Sequence, residues 1–216
     1  MRHVGEEKLL HEISPFLIEG FKRTCGEETS KRTADIKLAC VKHLYTKAIE
    51  WGLATENPAA KVKLFRPQNA RQRYLSEDEI AALLAACEDY FRPVLIVALH
   101  TGMRKGEILG LRWRDVDLVN GIIHVEKTKN RERRDIHMSE TVRAELARLR
   151  ARSQCEWVFT HRDHPAKPLL DERCAFAKAK CLAGITGLRF HDLRHTAASY
   201  FVMLGVPLRT VGQILG

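Results

Sequence analysis

Apolar positions recur at helical spacing along most of the chain and alternate strictly in one stretch only. Residues 7–54 read as helices, EKLLHEISPFLIEGFKR and then TSKRTADIKLACVKHLYTKAIEWG. In the second, Ile36, Ala39, Cys40, His43, Leu44, Lys47 and Ala48 fall near the helical period, and Ser30 stands where a cap belongs. Trp51-Gly52 closes that helix and Glu56-Asn57-Pro58 marks a break. Ser76-Glu-Asp-Glu79 is a capping box that opens a helix to about Cys87. Pro93 begins a wholly apolar helix running into Thr101-Gly102, and MRKGEILGL forms the next.

The alternating stretch is DVDLVNGIIHVEKTKNRERRDIHMS. It reads as strand, Asn120-Gly121 hairpin turn, strand, polar turn and strand. Ser139 starts another helix, WVFT is a short extended segment, and residues 171–183 and 191–203 are helical. Gly205-Val-Pro207 then turns the chain into a last helix from Leu208. The prediction is a mainly α chain with a small antiparallel β-sheet, an α+β fold. Residues 1–66 form a helical domain and 74–216 a larger mixed one. Between them, residues 61–73 carry Lys61, Lys63, Arg66, Arg71 and Arg73, one proline and no acid. That is the composition of an exposed linker able to follow a phosphate backbone, or simply of a solvated connector.

Composition sharpens this picture in three ways. Hydrophobic residues at 45% and charged residues at 29% suit a packed core rather than a disordered tail. Thirty-six Lys and Arg against 27 Asp and Glu leave a charge of +9, which favours a polyanionic partner. No apolar run reaches the ~20 residues of a membrane span, and residues 1–14 lack the apolar stretch of a secretory signal. The six cysteines include no C-x-x-C pair, so they read as reduced cytoplasmic thiols that mostly pack. His161 and His164 sit in a polar loop without a further clustered ligand, and no metal site is expected.

Four segments carry candidate chemistry. In HTGMRKGE, Arg104 and Glu107 lie three apart on one helix face, which is also the spacing of an ordinary exposed ion pair. KTKNRERR, residues 127–134, is a cationic turn between strands, either merely solvated or able to lower a lysine into a DNA groove. In RFHDLRHT, His191 and Arg194 share a face, and His195 is one helical turn beyond His191. A lone histidine is usually a packing residue, whereas an imidazole held beside a guanidinium can bind a phosphate and move a proton on it. LGVPLRTVGQILG has the look of a turn and second helix of a helix-turn-helix.

Taken in this order and at these separations, the segments resemble the tyrosine recombinase (phage integrase) family. TGMRKGEILGLRWRDVDL, the lysine turn, VFT and HDLRHTAASYFVMLGVPLRTVGQILG carry the resemblance in the larger domain. KAIEWGLATENPAAKVK is similar to the family's helical core-binding domain. The resemblance implies a core-binding domain followed by an integrase-type catalytic domain acting on double-stranded DNA, without a cofactor. Arg104 and Arg194 take the places of the two catalytic arginines, His191 that of the histidine opening H-x-x-R, and Lys129 that of the hairpin lysine. Lys127 competes for that role if the register slips by two. Glu107 would orient the arginines and His195 would support them. Lys61, Lys63, Arg66, Arg71, Arg73, Lys127 and Arg131 would contact DNA. The family cuts and rejoins strands through a 3′-phosphotyrosyl link and works as a homotetramer on DNA, in bacteria or their phages.

The nucleophilic tyrosine of the family follows a His or Trp that comes after the Leu-Gly pair, and here Leu215-Gly216 is the last dipeptide. Tyr45, Tyr74, Tyr90 and Tyr200 stand elsewhere. The expectation is a chain clipped at both ends, monomeric, that binds DNA without cleaving it. The alternative is a non-catalytic DNA-binding remnant or regulator with the same fold.

Overall fold

The computed structural model describes residues 9–67, 73–126 and 133–216. Cα proximity divides the chain into two compact units, Met1–Arg71 and Gln72–Gly216.

The first unit pairs α1 (Pro15–Glu28) with α2 (Lys31–Glu50). Ser14 and Ser30 cap them, their hydroxyls accepting from Leu17 N and Thr33 N. Among the described residues, the helix predicted from residue 7 is a short 3-10 turn at Leu10–Glu12 followed by a regular helix only from Pro15, because Ser14-Pro15 is itself a helix-start signal. On α2 the buried face is Ala34, Leu38, Tyr45 and Ala48, while Ile36 and Leu44 point to solvent. The face chosen from sequence is thus displaced. Steps of four, seven and three from Ala34 follow the helical period as well as the predicted set does. Ile18, Leu38, Ala59 and Val62 make the core of this unit.

Residues 61–67 are less of a free linker than their composition suggests. Val62 is buried, and the Asp35 carboxylate accepts from Phe65 N at 2.7 Å and Arg66 N at 2.9 Å. The buried Lys22 ammonium donates to Lys63 O at 2.9 Å, pairs with Glu19 and lies 4.5 Å from the centre of the Phe65 ring. Each of the two buried charges has satisfied partners, as burial demands.

The second unit is built round α4 (Arg92–Thr101), whose residues 93–99 are all buried. A helix apolar on every side belongs at the centre. Around it lie α3 (Glu77–Ala85), α5 (Lys105–Leu109), α6 (Glu140–Arg150) and α8 (Phe190–Met203). Further out are α7 (Arg173–Leu182) and α9 (Leu208–Leu215). Strands β1 (Val116–Asp117), β2 (Ile122–Glu126) and β3 (Arg133–His137) form an antiparallel sheet in sequence order. Ile123 faces Ile136, and Val125 faces Arg134. The predicted extended segment at 157–160 is present, bridged at Arg112 and Trp157 and leading into a strand at Thr160.

A second hairpin, β4 (Thr160–His161) with β5 (His164–Pro168), replaces the polar loop expected there. Its strands are almost wholly exposed, so no apolar alternation announces them. Only Cys25 among the six cysteines is fully buried; Cys40, Cys174 and Cys181 are exposed, which corrects their reading as packing residues. Among the described residues, no helix is long and apolar enough to cross a membrane.

Candidate functional site

The end of α4 sets the site. Thr101 Oγ1 donates back to Val97 O at 2.6 Å, and Gly102 takes a left-handed turn at φ 62°. Buried Met103 fixes the chain beyond the turn, and Arg104 follows as the residue that caps α5. Glu107 reaches back to close the cap. Its Oε2 accepts from Arg104 N at 2.8 Å and its Oε1 from Arg104 Nη1 at 3.0 Å. The expected Arg104–Glu107 pair is therefore a closed ring rather than a loose surface contact.

Arg194, in the middle of α8, donates from Nη1 to Gly102 O and from Nη2 to Leu215 O, both at 2.8 Å. Arg104 Nη2 donates to Gly216 O. Two arginines that are 90 positions apart are thus held to the same turn and to the same helix end. Helix C-terminal carbonyls carry partial negative charge, so cations are favoured there.

Position 134 adds a third guanidinium, which the sequence reading did not single out. Arg134 Nη1 and Nη2 donate to Glu107 Oε1 and Oε2 at 3.1 and 2.6 Å, and Nε donates to Ile214 O at 2.9 Å. Its side chain is only 8% exposed. A signal for it was available. Arg134 is in phase with buried Ile136 and opposite buried Val125, so alternation places it on the core face of the sheet. A charge in that phase requires a buried partner.

His191 lies in the first turn of α8, and its ring meets that of His195 edge-on with centroids 4.8 Å apart. Burial lowers the His191 pKa, and the nearby His195, Arg194 and Arg104 lower it further against the opposing pull of Asp192. The imidazole is therefore neutral near pH 7. Burial pushes the Glu107 carboxyl up, but the hydrogen bonds from Arg134 and Arg104 win and hold it below the usual carboxylate range. Burial and then the Arg104 charge draw the Arg194 pKa down, though a guanidinium stays charged throughout. The cluster is cationic, with three guanidiniums against one carboxylate, and next to it is a base that can accept a proton.

Other expected residues are dispersed. Lys61, Lys63 and Arg66 are exposed on the first unit. Arg73 is engaged, with Nη1 and Nη2 donating to the two Glu79 oxygens at 3.1 and 2.5 Å. Arg71, Lys127, Lys129 and Arg131 lie outside the described residues. Tyr45 and Tyr200 donate their hydroxyls to Leu10 O and Leu75 O, at 2.9 and 3.3 Å.

The site is an arginine pair braced by an acid and flanked by a histidine, on an α+β frame. The model of the phage integrase family matches residues 73–216, and the chain belongs to that family. The integrase of Salmonella phage P22 is 30% identical over 180 residues, which cover 77% of this chain and 46% of that protein. A shufflon-specific DNA recombinase of Escherichia coli is 34% identical over 188 residues, covering 83% and 46%. The chain thus spans about half the length of these relatives. Among solved structures, a lambda integrase dimer bound to a COC′ core site superposes with a TM-score of 0.84 at 19% identity, covering 100% of this chain and 82% of that one. A lambda integrase tetramer bound to a Holliday junction gives 0.83 at 19%, covering 99% and 67%. At such identity the likeness is one of fold.

Proposed function

We propose that this chain is the DNA-gripping and phosphate-activating part of a site-specific recombinase. The observation that carries the reading is the meeting of Arg104 and Arg194 at neighbouring carbonyls, Gly216 O and Leu215 O, with Glu107 bracing the first and Gly102 O the second. Attack on a DNA phosphodiester places extra negative charge on the non-bridging oxygens of a five-coordinate phosphorus. Two fixed guanidiniums stabilise that charge where it develops.

In the reaction proposed, a tyrosine hydroxyl forms the new bond to phosphorus while the bond to the 5′-oxygen breaks. Lys129 donates the proton to the leaving 5′-oxygen, and neutral His191 takes the proton from the attacking hydroxyl. The 5′-hydroxyl of a second strand then reverses these steps, so no external energy source is consumed. His195 supports His191. None of Tyr45, Tyr74, Tyr90 and Tyr200 serves as the nucleophile in this proposal, because Tyr200 and Tyr45 are committed to backbone carbonyls and neither Tyr74 nor Tyr90 follows the H-x-x-R segment. These 216 residues therefore bind DNA without becoming covalently attached to it. A denaturation-resistant protein–DNA band on a nicked duplex contradicts that statement.

Residues 1–66 act as the core-binding domain and 74–216 as the catalytic domain, both touching one duplex. Lys61, Lys63, Arg66, Arg71, Arg73, Lys127 and Arg131 supply phosphate contacts, Arg73 after release from Glu79. The DNA-bound lambda integrase assemblies support a double-stranded DNA partner and a homotetramer for the whole protein; action on DNA in the cytoplasm of a bacterial cell is part of the same proposal. In a protein carrying the nucleophilic tyrosine, Arg104→Ala or Arg194→Ala lowers the cleavage rate roughly a hundredfold or more while weakening binding far less. Equal losses in cleavage and binding argue against the transition-state role.

A further inference from the structure

We infer that Arg134 is a positioning residue for the phosphate site, acting on Arg104 through Glu107; the inference rests on the functional reading above. Glu107 offers two carboxylate oxygens, and each is shared between Arg134 and Arg104. Arg134 takes them with a parallel two-point fork, the stronger arrangement for a guanidinium and a carboxylate. Arg104 has one side-chain hydrogen bond to Glu107 and one from Nη2 to Gly216 O, and at 47% exposure it still presents part of its guanidinium to a ligand. Arg134 is 8% exposed and spends Nε, Nη1 and Nη2 on protein acceptors. It is built in and does not face a substrate.

The consequence follows from competition for one carboxylate. With Arg134 in place, most of the Glu107 charge is answered from the sheet side, and Arg104 remains available to an anion. Without the fork, Glu107 turns more of its charge on Arg104, the cation it already hydrogen-bonds, and draws it away from the phosphate. The same side chain ties β3 to the last turn of α9 through Ile214 O, so α5, β3 and α9 are held by one group. A lysine at 134 keeps the charge but cannot reproduce a planar two-point fork together with a third hydrogen bond.

The test is inorganic phosphate binding to the full 216-residue chain, followed through the Arg Nε–H signals in nitrogen-edited NMR. In the wild type, phosphate moves the Arg104 and Arg194 signals, while Arg134 Nε–H stays protected from solvent exchange at every phosphate concentration. Arg134→Lys weakens phosphate binding roughly tenfold, the scale at which outer-shell partners act on a bound ligand. In a Glu107→Gln background the same substitution costs much less, because there is no carboxylate left to mis-aim. Equal affinity for the wild type and Arg134→Lys overturns the inference, since charge alone would then suffice. So does an undiminished loss in the Glu107→Gln background, or an Arg134 Nε–H that exchanges freely in the wild type, a result that needs no variant to fold. Failure of phosphate to move either Arg104 or Arg194 in the wild type sinks the functional reading itself, and the inference with it.

Discussion

Gly102 is the residue on which the arginine pair depends most. Its left-handed φ of 62° is open to glycine and costs other residues roughly 1–2 kcal/mol. A Cβ there would lie 2.5 Å from Leu215 Cδ2 and 3.5 Å from Ala197 Cβ. Gly102→Ala is expected to destabilise the second unit by about 1–2 kcal/mol and lower its melting temperature by several degrees in a circular-dichroism melt. An unchanged melt contradicts this account of the turn. Two titrating groups give pH signatures of known sign. The Glu107 pKa is held below its ordinary value of 4.5. Its stabilisation is complete above about that pH and is lost as pH falls through the lower folded-state value. Urea midpoints for Glu107→Gln should therefore fall less between pH 5 and pH 3 than those of the wild type. His191 is also depressed, from 6.5, so the unfolded chain takes up its proton first and stability declines as pH drops below about 6.5. An NMR titration of His191 with a midpoint above 6.5 refutes the cationic surroundings assigned to it.

Among the elements, what the sequence revealed tracks how strongly local signals agree. The Ser76–Glu79 capping box, the apolar α4 and the Thr-Gly turn before Arg104 all coincide with the observed boundaries. The Asn120-Gly121 turn and the β2–β3 pairing do so as well. The buried face of α2 did not emerge, since Ile36 and Leu44 fit a helical stripe almost as well as Ala34 and Leu38 do. Only packing against Ile18, Ala59 and Val62 decides between them. The exposed β4–β5 hairpin had no apolar alternation to reveal it. Of the candidate site, Arg104, Glu107, His191 and Arg194 were legible because helical spacing and a known motif coincide there. Arg134 was not, because a run of five charged residues out of six hid its inward-facing position. Asp35 was hidden for a different reason: its partners are backbone N–H groups thirty residues away, and no side-chain pattern records them. Asp35→Ala leaves two amides without their acceptor and should destabilise the first unit by roughly 1–3 kcal/mol. Hydrogen exchange at Phe65 and Arg66 should accelerate in that variant, and unchanged protection there would remove Asp35 from the account.

For the whole molecule, the proposed DNA partner gives the excess of basic residues, a net +9, a measurable signature. Binding of duplex DNA releases counterions, so the logarithm of the affinity should fall linearly with the logarithm of salt concentration, by about 0.9 per phosphate neutralised. The cationic cluster contributes to this slope only if it holds a DNA phosphate. Anisotropy of a labelled duplex across a potassium chloride series, for the wild type and for Arg104→Ala/Arg194→Ala, is therefore the most direct test. A steep wild-type slope that becomes shallower by about one in the double variant, the loss of one phosphate contact, is the predicted result. A slope near zero, or one the double substitution leaves unchanged, would show that these arginines do not grip DNA.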